Sequence, residues 1–168
     1  MIVRRGLPHV TWPFIVALAA FACAKGAPPA GPPALTIAAA EGARVKAPMT
    51  VSATEDANPD STGRPSPIVV RVYQLKTDLA FNAAEFFALF DDEQKVLGPE
   101  LISRDEFVLA PAEKRVIDIA LAGETRFVGA IAAFRDIRNS QWRALVPAPR
   151  KGLTVAVERT RILLSPVE

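Results

Sequence analysis

From Leu35 onward, apolar residues fall in short runs rich in Val, Ile and aromatic side chains, several alternating with polar positions, and turn-forming residues separate the runs. A period of two is what a strand with one face on a core requires. The pattern predicts strands over residues 35–39, 49–54, 68–75, 106–109, 115–121, 126–135, 142–146 and 153–164, the last either continuous or broken in two. In the fifth of these, Ile117, Ile119 and Leu121 share one face and Asp118 takes the other, so the first three are core candidates. Residues 82–90 have a different period: Phe86, Phe87, Leu89 and Phe90 are spaced as on a helix, and Asn82 with Glu85 has the form of a capping box. A second short turn over residues 91–97 starts acidic and stops at Gly98-Pro99, as dipole and capping considerations favour. The fold class expected is mainly β: a sandwich of two antiparallel sheets with a small helical insertion between its third and fourth strands.

Ahead of the first run, the apolar stretch from Trp12 to Ala22 holds about a dozen residues where a membrane-crossing helix needs about 20. Arg4 and Arg5 precede it, so residues 1–22 read as an export signal that is removed. Cys23, the only cysteine, stands at the expected cleavage point and has no partner for an intramolecular disulfide. Its sulfur is the candidate site for a diacylglyceryl thioether. Ala20 occupies the place where lipoprotein signals usually carry leucine, and Ala20-Phe21-Ala22 also fits an ordinary cleavage site that would leave a bare thiol. Lipidation is favoured because an exposed unpaired thiol on a secreted protein is a liability. Ala24 is not the aspartate of inner-membrane retention, which points to the outer membrane. Residues 23–34, with four prolines, form an extended tether after the lipidated N-terminus, leaving residues 35–168 as one domain.

Charge and chemistry narrow the function. Removal of Arg4 and Arg5 takes the 20 basic side chains to 18, equal to the 18 acidic ones, and both signs are interspersed, which recommends no nucleic acid. The only histidine, His9, lies in the signal, so no His/Cys metal cluster or Cys/His pair is available to the mature domain, and no cofactor is implied. Asp105 and Glu106 are adjacent in a strand and point to opposite faces, a poor arrangement for carboxylate catalysis. Asp91-Asp92-Glu93 lacks the spacing and glycine of a calcium loop and is read as helix capping. No catalytic residue and no metal site are expected.

The most distinctive segment is Asn58-Pro59-Asp60-Ser61-Thr62-Gly63-Arg64-Pro65-Ser66-Pro67, which runs straight into Ile68-Val69-Val70-Arg71-Val72-Tyr73-Gln74-Leu75. Its prolines and glycine stiffen an exposed loop, which then loses less entropy when a partner docks. Trp142 beside Arg143 is either an interaction hot spot or a core tryptophan next to an outward arginine; Phe86, Phe87 and Phe90 either dock a partner or hold the helix to the sheet. Arg64 reaches a partner carboxylate or bonds within its own loop.

This loop and strand, followed in order by Phe81, Glu85-Phe86-Phe87-Ala88-Leu89-Phe90, Leu97-Gly98-Pro99-Glu100-Leu101, Arg104 to Pro111, Phe127 to Asp136 and Trp142-Arg143, resemble the outer-membrane lipoprotein of the bacterial type VI secretion system, the TssJ, SciN and VasD-like family. The resemblance implies a transthyretin-like sandwich with a helical addition, held on the periplasmic face of the outer membrane by acylated Cys23. It implies a structural adaptor whose partner is the periplasmic C-terminal region of TssM, within the TssM–TssL membrane complex. It maps the contact loop to residues 55–67, with Asn58, Pro59 and Asp60 at the tip and Ser61, Thr62, Gly63 and Arg64 beside them. Ala112 departs from the family, whose members often carry glycine there. The alternative to an adaptor is a lipoprotein that binds a small ligand in a sandwich cavity; a periplasmic hydrolase would need a cleft that gathers several carboxylates.

Overall fold

The structure, a computed structural model, describes residues 44–167. Eight strands are present among them: β1 (Arg44–Ala53), β2 (Ile68–Leu75), β3 (Leu101–Leu109), β4 (Lys114–Ala122), β5 (Phe127–Ala132), β6 (Arg143–Pro147), β7 (Gly152–Val157) and β8 (Ile162–Val167). One sheet has the order β4-β1-β7-β8 and the other β3-β2-β5-β6. The second sheet is antiparallel throughout, but in the first β1 runs parallel to β7, with Met49 opposite Leu153 and Val51 opposite Val155. This departs from the expected pair of antiparallel sheets. Strand direction leaves no trace in the alternation of side chains, so the pattern alone could not supply it. Gly152 permits the close approach there, since a Cβ would stand 2.7 Å from the Pro48 carbonyl oxygen.

Alternation places Val51, Val70, Val72, Leu109, Ile119, Val128 and Val155 in the core between the sheets, and Ile119 and Leu121 are buried while Asp118 is exposed, as expected. Strand β2 is central and covered on both faces. Val70 and Val72 point inward, whereas Tyr73 and Leu75 take part in a second core under the helices. That double burial explains its nearly unbroken apolar run. The inward Gln74 is the polar exception: its Nε2 donates to Ala120 O at 3.0 Å, while Oε1 accepts from Ala122 N and Thr125 Oγ1, each at 3.0 Å. The side chain thereby ties β2 of one sheet to β4 of the other.

The helical insertion lies between β2 and β3 as α1 (Leu79–Ala83), α2 (Phe86–Asp91) and α3 (Glu93–Leu97). The expected continuous helix over residues 82–90 is broken: Ala84 (φ −71°, ψ 142°) and Glu85 (φ −81°, ψ 149°) are extended, and the capping box does not form. Asn82 sits inside α1 and donates to Asp78 Oδ2 at 3.2 Å. Tertiary bonds compensate the break, because the Arg143 guanidinium donates to the carbonyls of Phe81 (3.2 Å) and Ala84 (2.9 Å). The second turn behaves as expected, with Asp92 capping α3 by accepting from Lys95 N at 3.1 Å.

Phe81, Leu89 and Leu97 pack with Tyr73, Leu75 and Ile131 on the outer face of the second sheet. Trp142 packs against both cores and meets Phe86 edge-on at 5.3 Å, so it is a packing residue beside an exposed Arg143. Phe86 and Phe90 stack at 5.3 Å, whereas Phe87 is 63% exposed. A half-buried ionic group fastens the insertion: Glu93 accepts from Tyr73 Oη (3.2 Å) and pairs with Arg71 (3.3 Å) and Arg104 (3.0 Å), and Arg71 Nε also reaches Glu106 at 2.6 Å. Burial, first of all, pushes the Tyr73 hydroxyl far above its ordinary pKa, so it stays a donor.

Several boundaries differ from expectation: β1 starts before residue 49, β3 starts at Leu101, before residue 106, and β5 stops at Ala132, before residue 135; the 153–164 run takes the second of its two expected forms, broken at residues 158–161. The predicted strand at residues 35–39, the signal and Cys23 lie outside the described residues.

Candidate functional site

Strand β1 delivers the chain at Ala53 into the loop of residues 54–67, and β2 takes it back at Ile68. The register brings three other connections to the same end of the sandwich: residues 110–113, 133–142 and 158–161. They are bonded to the loop and to each other. Thr54 N donates to Val157 O (2.9 Å), Ala112 N donates to Thr54 O (3.2 Å), and Asn58 N donates to Arg159 O (3.1 Å). Gln141 N donates to Thr160 O at 2.9 Å and Ile162 N to Gln141 O at 3.0 Å, which closes this side of the two sheets.

Asn58, expected at the loop tip, is instead buried at its base, 2% exposed with φ 50°. Its Nδ2 donates to Pro67 O at 2.9 Å and its Oδ1 accepts from Arg135 N at 2.8 Å. One side chain thus clamps both legs of the loop and fixes them to the β5–β6 connection. Asparagine suits the place because it tolerates left-handed backbone and supplies both a donor and an acceptor. Pro59 is half-buried beside it, and the exposed tip consists of Ser61, Thr62, Gly63 and Arg64.

Asp60 organises that tip. Its Oδ1 accepts from Thr62 N (2.9 Å), Thr62 Oγ1 (2.6 Å) and Arg64 N (3.0 Å), and its Oδ2 from Arg64 Nε (3.2 Å). Backbone bonds from Asp60 N to Arg64 O and from Gly63 N to Asp60 O, both 2.9 Å, close the turn. Gly63 has φ 84°, a conformation that requires glycine. The Thr62 hydroxyl, then the Arg64 amide and the remaining donors, hold the Asp60 carboxyl down at a pKa of about 2. Arg64 therefore bonds within its own loop while its side chain remains 80% exposed, so the rest of its guanidinium faces solvent.

Beside the tip is a cleft of about 420 Å³ between Pro59, Asp60 and Ser61 on one wall and Phe134, Arg135, Asp136, Arg159 and Thr160 on the others. Arg159 reaches Asp56 at 3.7 Å. The walls from the second and third connections are absent from the expected site residues. The expected strand ran on to Arg135, and the 158–161 turn lay inside a run read as either one strand or two, with the polar string Glu158-Arg159-Thr160-Arg161 as the signal for the break. Two further clefts, of about 650 Å³ at residues 147–151 and about 240 Å³ beside Arg71, Glu93 and Arg104, also lie at the surface, and of the residues lining the three only Phe134 belongs to the core between the sheets. The loop end is thus a rigid, polar, protruding surface with an adjoining recess, suited to recognition by shape and hydrogen bonding.

Residues 45–164 match the family model described as type VI secretion lipoprotein, VasD, EvfM, TssJ. Among solved structures, the T6SS lipoprotein TssJ1 from Pseudomonas aeruginosa is 34% identical with a TM-score of 0.70, covering 74% of this chain and 98% of that one. A chain of a structure described as a type VI membrane complex is 26% identical with a TM-score of 0.65, over 72% of this chain and 98% of that one. A chain of a structure described as the T6SS protein TssM C-terminal domain (869–1107) from EAEC is also 26% identical, with a TM-score of 0.61, over 73% and 98%. No individually curated protein matches significantly.

Proposed function

The chain belongs to the family of type VI secretion lipoproteins, and from that premise we propose that it is a non-catalytic adaptor, anchored in the outer membrane through acylated Cys23, that grips the periplasmic C-terminal region of TssM with its 54–67 loop. The observation that carries this reading is the course of β1. The strand receives the N-terminal segment at Arg44 and hands the chain to the loop after Ala53, so the point where that segment enters and the point where the loop leaves are about 30 Å apart, at opposite ends of one strand. A molecule built this way transmits position from a bilayer to a second protein without chemistry.

The similarity to a chain of the structure described as the TssM C-terminal domain supports the same partner. Because 73% of this chain covers 98% of that one, the matched chain is shorter than the 869–1107 segment, and we read it as a companion chain of TssM in that assembly. Loop rigidity is the second support, since Asn58 and Asp60 order the tip before any partner arrives.

Two variants test the loop. Ser61→Arg adds bulk at an exposed tip position, and Arg64→Glu reverses a charge that is 80% exposed; both leave the Asn58 clamp alone. Each should weaken co-purification with the periplasmic TssM region at least ten-fold with an unchanged thermal transition. Undiminished capture by both would remove the loop from the interface. Cys23→Ser tests the anchor, moving the protein from the outer-membrane fraction to the soluble periplasm.

A further inference from the structure

We propose that the end of the sandwich at which β1 begins is a contact face for anionic phospholipid headgroups, which sets the body upright on the bilayer with its loop pointing away. The face is assembled by pairing. Arg44 and Lys46 lie on β1 opposite Ala122 and Ala120. Arg126 joins the β2 end through its N–H to Leu75 O (2.9 Å) and the β6 end through Ala148 N to its own carbonyl (2.8 Å). Arg150 and Lys151 line the 650 Å³ cleft between β6 and β7 with Pro147, Pro149 and Pro166.

All five basic side chains are exposed, and none has a carboxylate within salt-bridge distance among the described residues. Of the described acids near this end, Glu124 pairs with Lys76 (3.2 Å), while Asp78 and Glu100 accept from the neutral Asn82 amide (3.2 Å) and Ala80 N–H (3.4 Å) and keep their charge, so the five cations outnumber the two acids left without a cation. At the loop end Arg64, Arg115, Arg159 and Arg161 are matched to Asp60, Glu113, Asp56 and Glu158, and the exposed Lys114, Arg135 and Arg138 have no such pair among the described residues. Val45 and Val167, 59% and 47% exposed, stand among the free cations and can enter the headgroup layer between them. A membrane is favoured over another polyanion because the segment leading back to Cys23 joins the domain at this face, a step that rests on the anchor proposed above.

The test uses the Cys23→Ser chain recovered from the periplasm, so that no acyl chain contributes. It should co-sediment with vesicles of phosphatidylethanolamine and phosphatidylglycerol at low salt, and fail to do so with vesicles in which phosphatidylcholine replaces the phosphatidylglycerol. Binding should fall with added salt. Arg150→Gln with Lys151→Gln should weaken it about five-fold per charge removed, without altering TssM capture or the thermal transition. Equal sedimentation with both vesicles, indifference to the double substitution, or retention on peptidoglycan sacculi in place of vesicles would overturn the proposal. Failure of the anchor is read separately, as an unmodified Cys23 in the mass of the wild-type protein.

Discussion

The ring of Phe81 rests on Gly129: a Cβ built on that glycine would stand 2.8 Å from the ring's Cζ. Phe81 is the buried residue of α1, and Gly129 lies on β5 directly opposite Tyr73, whose ring is 5.9 Å from that of Phe81. The bare backbone is therefore the seat of the helical insertion. Gly129→Ala should displace the ring and cost about 1–3 kcal/mol by overpacking, read as a lower urea midpoint at unchanged m-value. A neutral outcome would mean that the insertion shifts freely on the sheet.

Asn58→Ala should cost about 2–3 kcal/mol, since it leaves the Arg135 N–H and the Pro67 carbonyl without their partner and forces alanine to φ 50°. Asn58→Gly separates the two contributions, because glycine accepts the backbone angle while losing the same hydrogen bonds. The glycine variant should retain more stability than the alanine one, and both should bind TssM more weakly through a loosened loop. Equal losses in urea titrations would place the whole cost in the hydrogen bonds.

The mainly β class, seven of the strand positions, the insertion and the place of the loop between β1 and β2 were legible in the sequence because each depends on local alternation or turn chemistry. What stayed hidden was set by contacts between distant residues. Asn58 looks like an exposed turn residue next to Pro59, and only the arrival of Arg135, 77 positions later, makes it a buried clamp. The helix break at Ala84 contradicts the local pattern for the same reason, since Arg143 from β6 supplies the donors that local residues do not. The cleft walls at Arg135 and Arg159 require knowing that β5 and β7 end beside the loop.

Asp60 predicts the pH behaviour of the tip. Its carboxyl lies below the ordinary value of 3.8, at about 2, so the ordering it provides is complete above about pH 4 and is lost only as pH falls toward 2. Affinity for TssM should be insensitive to this group from neutral pH down to pH 5. Carbonyl-carbon chemical shifts of Asp60 followed by NMR should give a midpoint near 2, and a midpoint at the ordinary value would show that the four donors do not converge on it in solution. Asp60→Asn keeps the shape but weakens the acceptors, and should lower affinity several-fold with little change in global stability.

Ala112 is held at φ 63° in the β3–β4 turn, a left-handed conformation that costs a non-glycine residue about 1–2 kcal/mol. The turn cannot relax alone, because the Ala112 N–H donates to Thr54 O at 3.2 Å and so fastens the first leg of the 54–67 loop. Glycine would remove the Cβ penalty while adding about 0.4–1 kcal/mol of unfolded-state freedom, and the strain relieved is the larger of the two. Ala112→Gly should therefore stabilise the domain by about 0.5–1 kcal/mol, seen as a raised melting temperature with TssM affinity preserved. A lowered melting temperature would mean that the turn holds Ala112 without strain and that the Thr54 bond, rather than the backbone angle, sets the conformation.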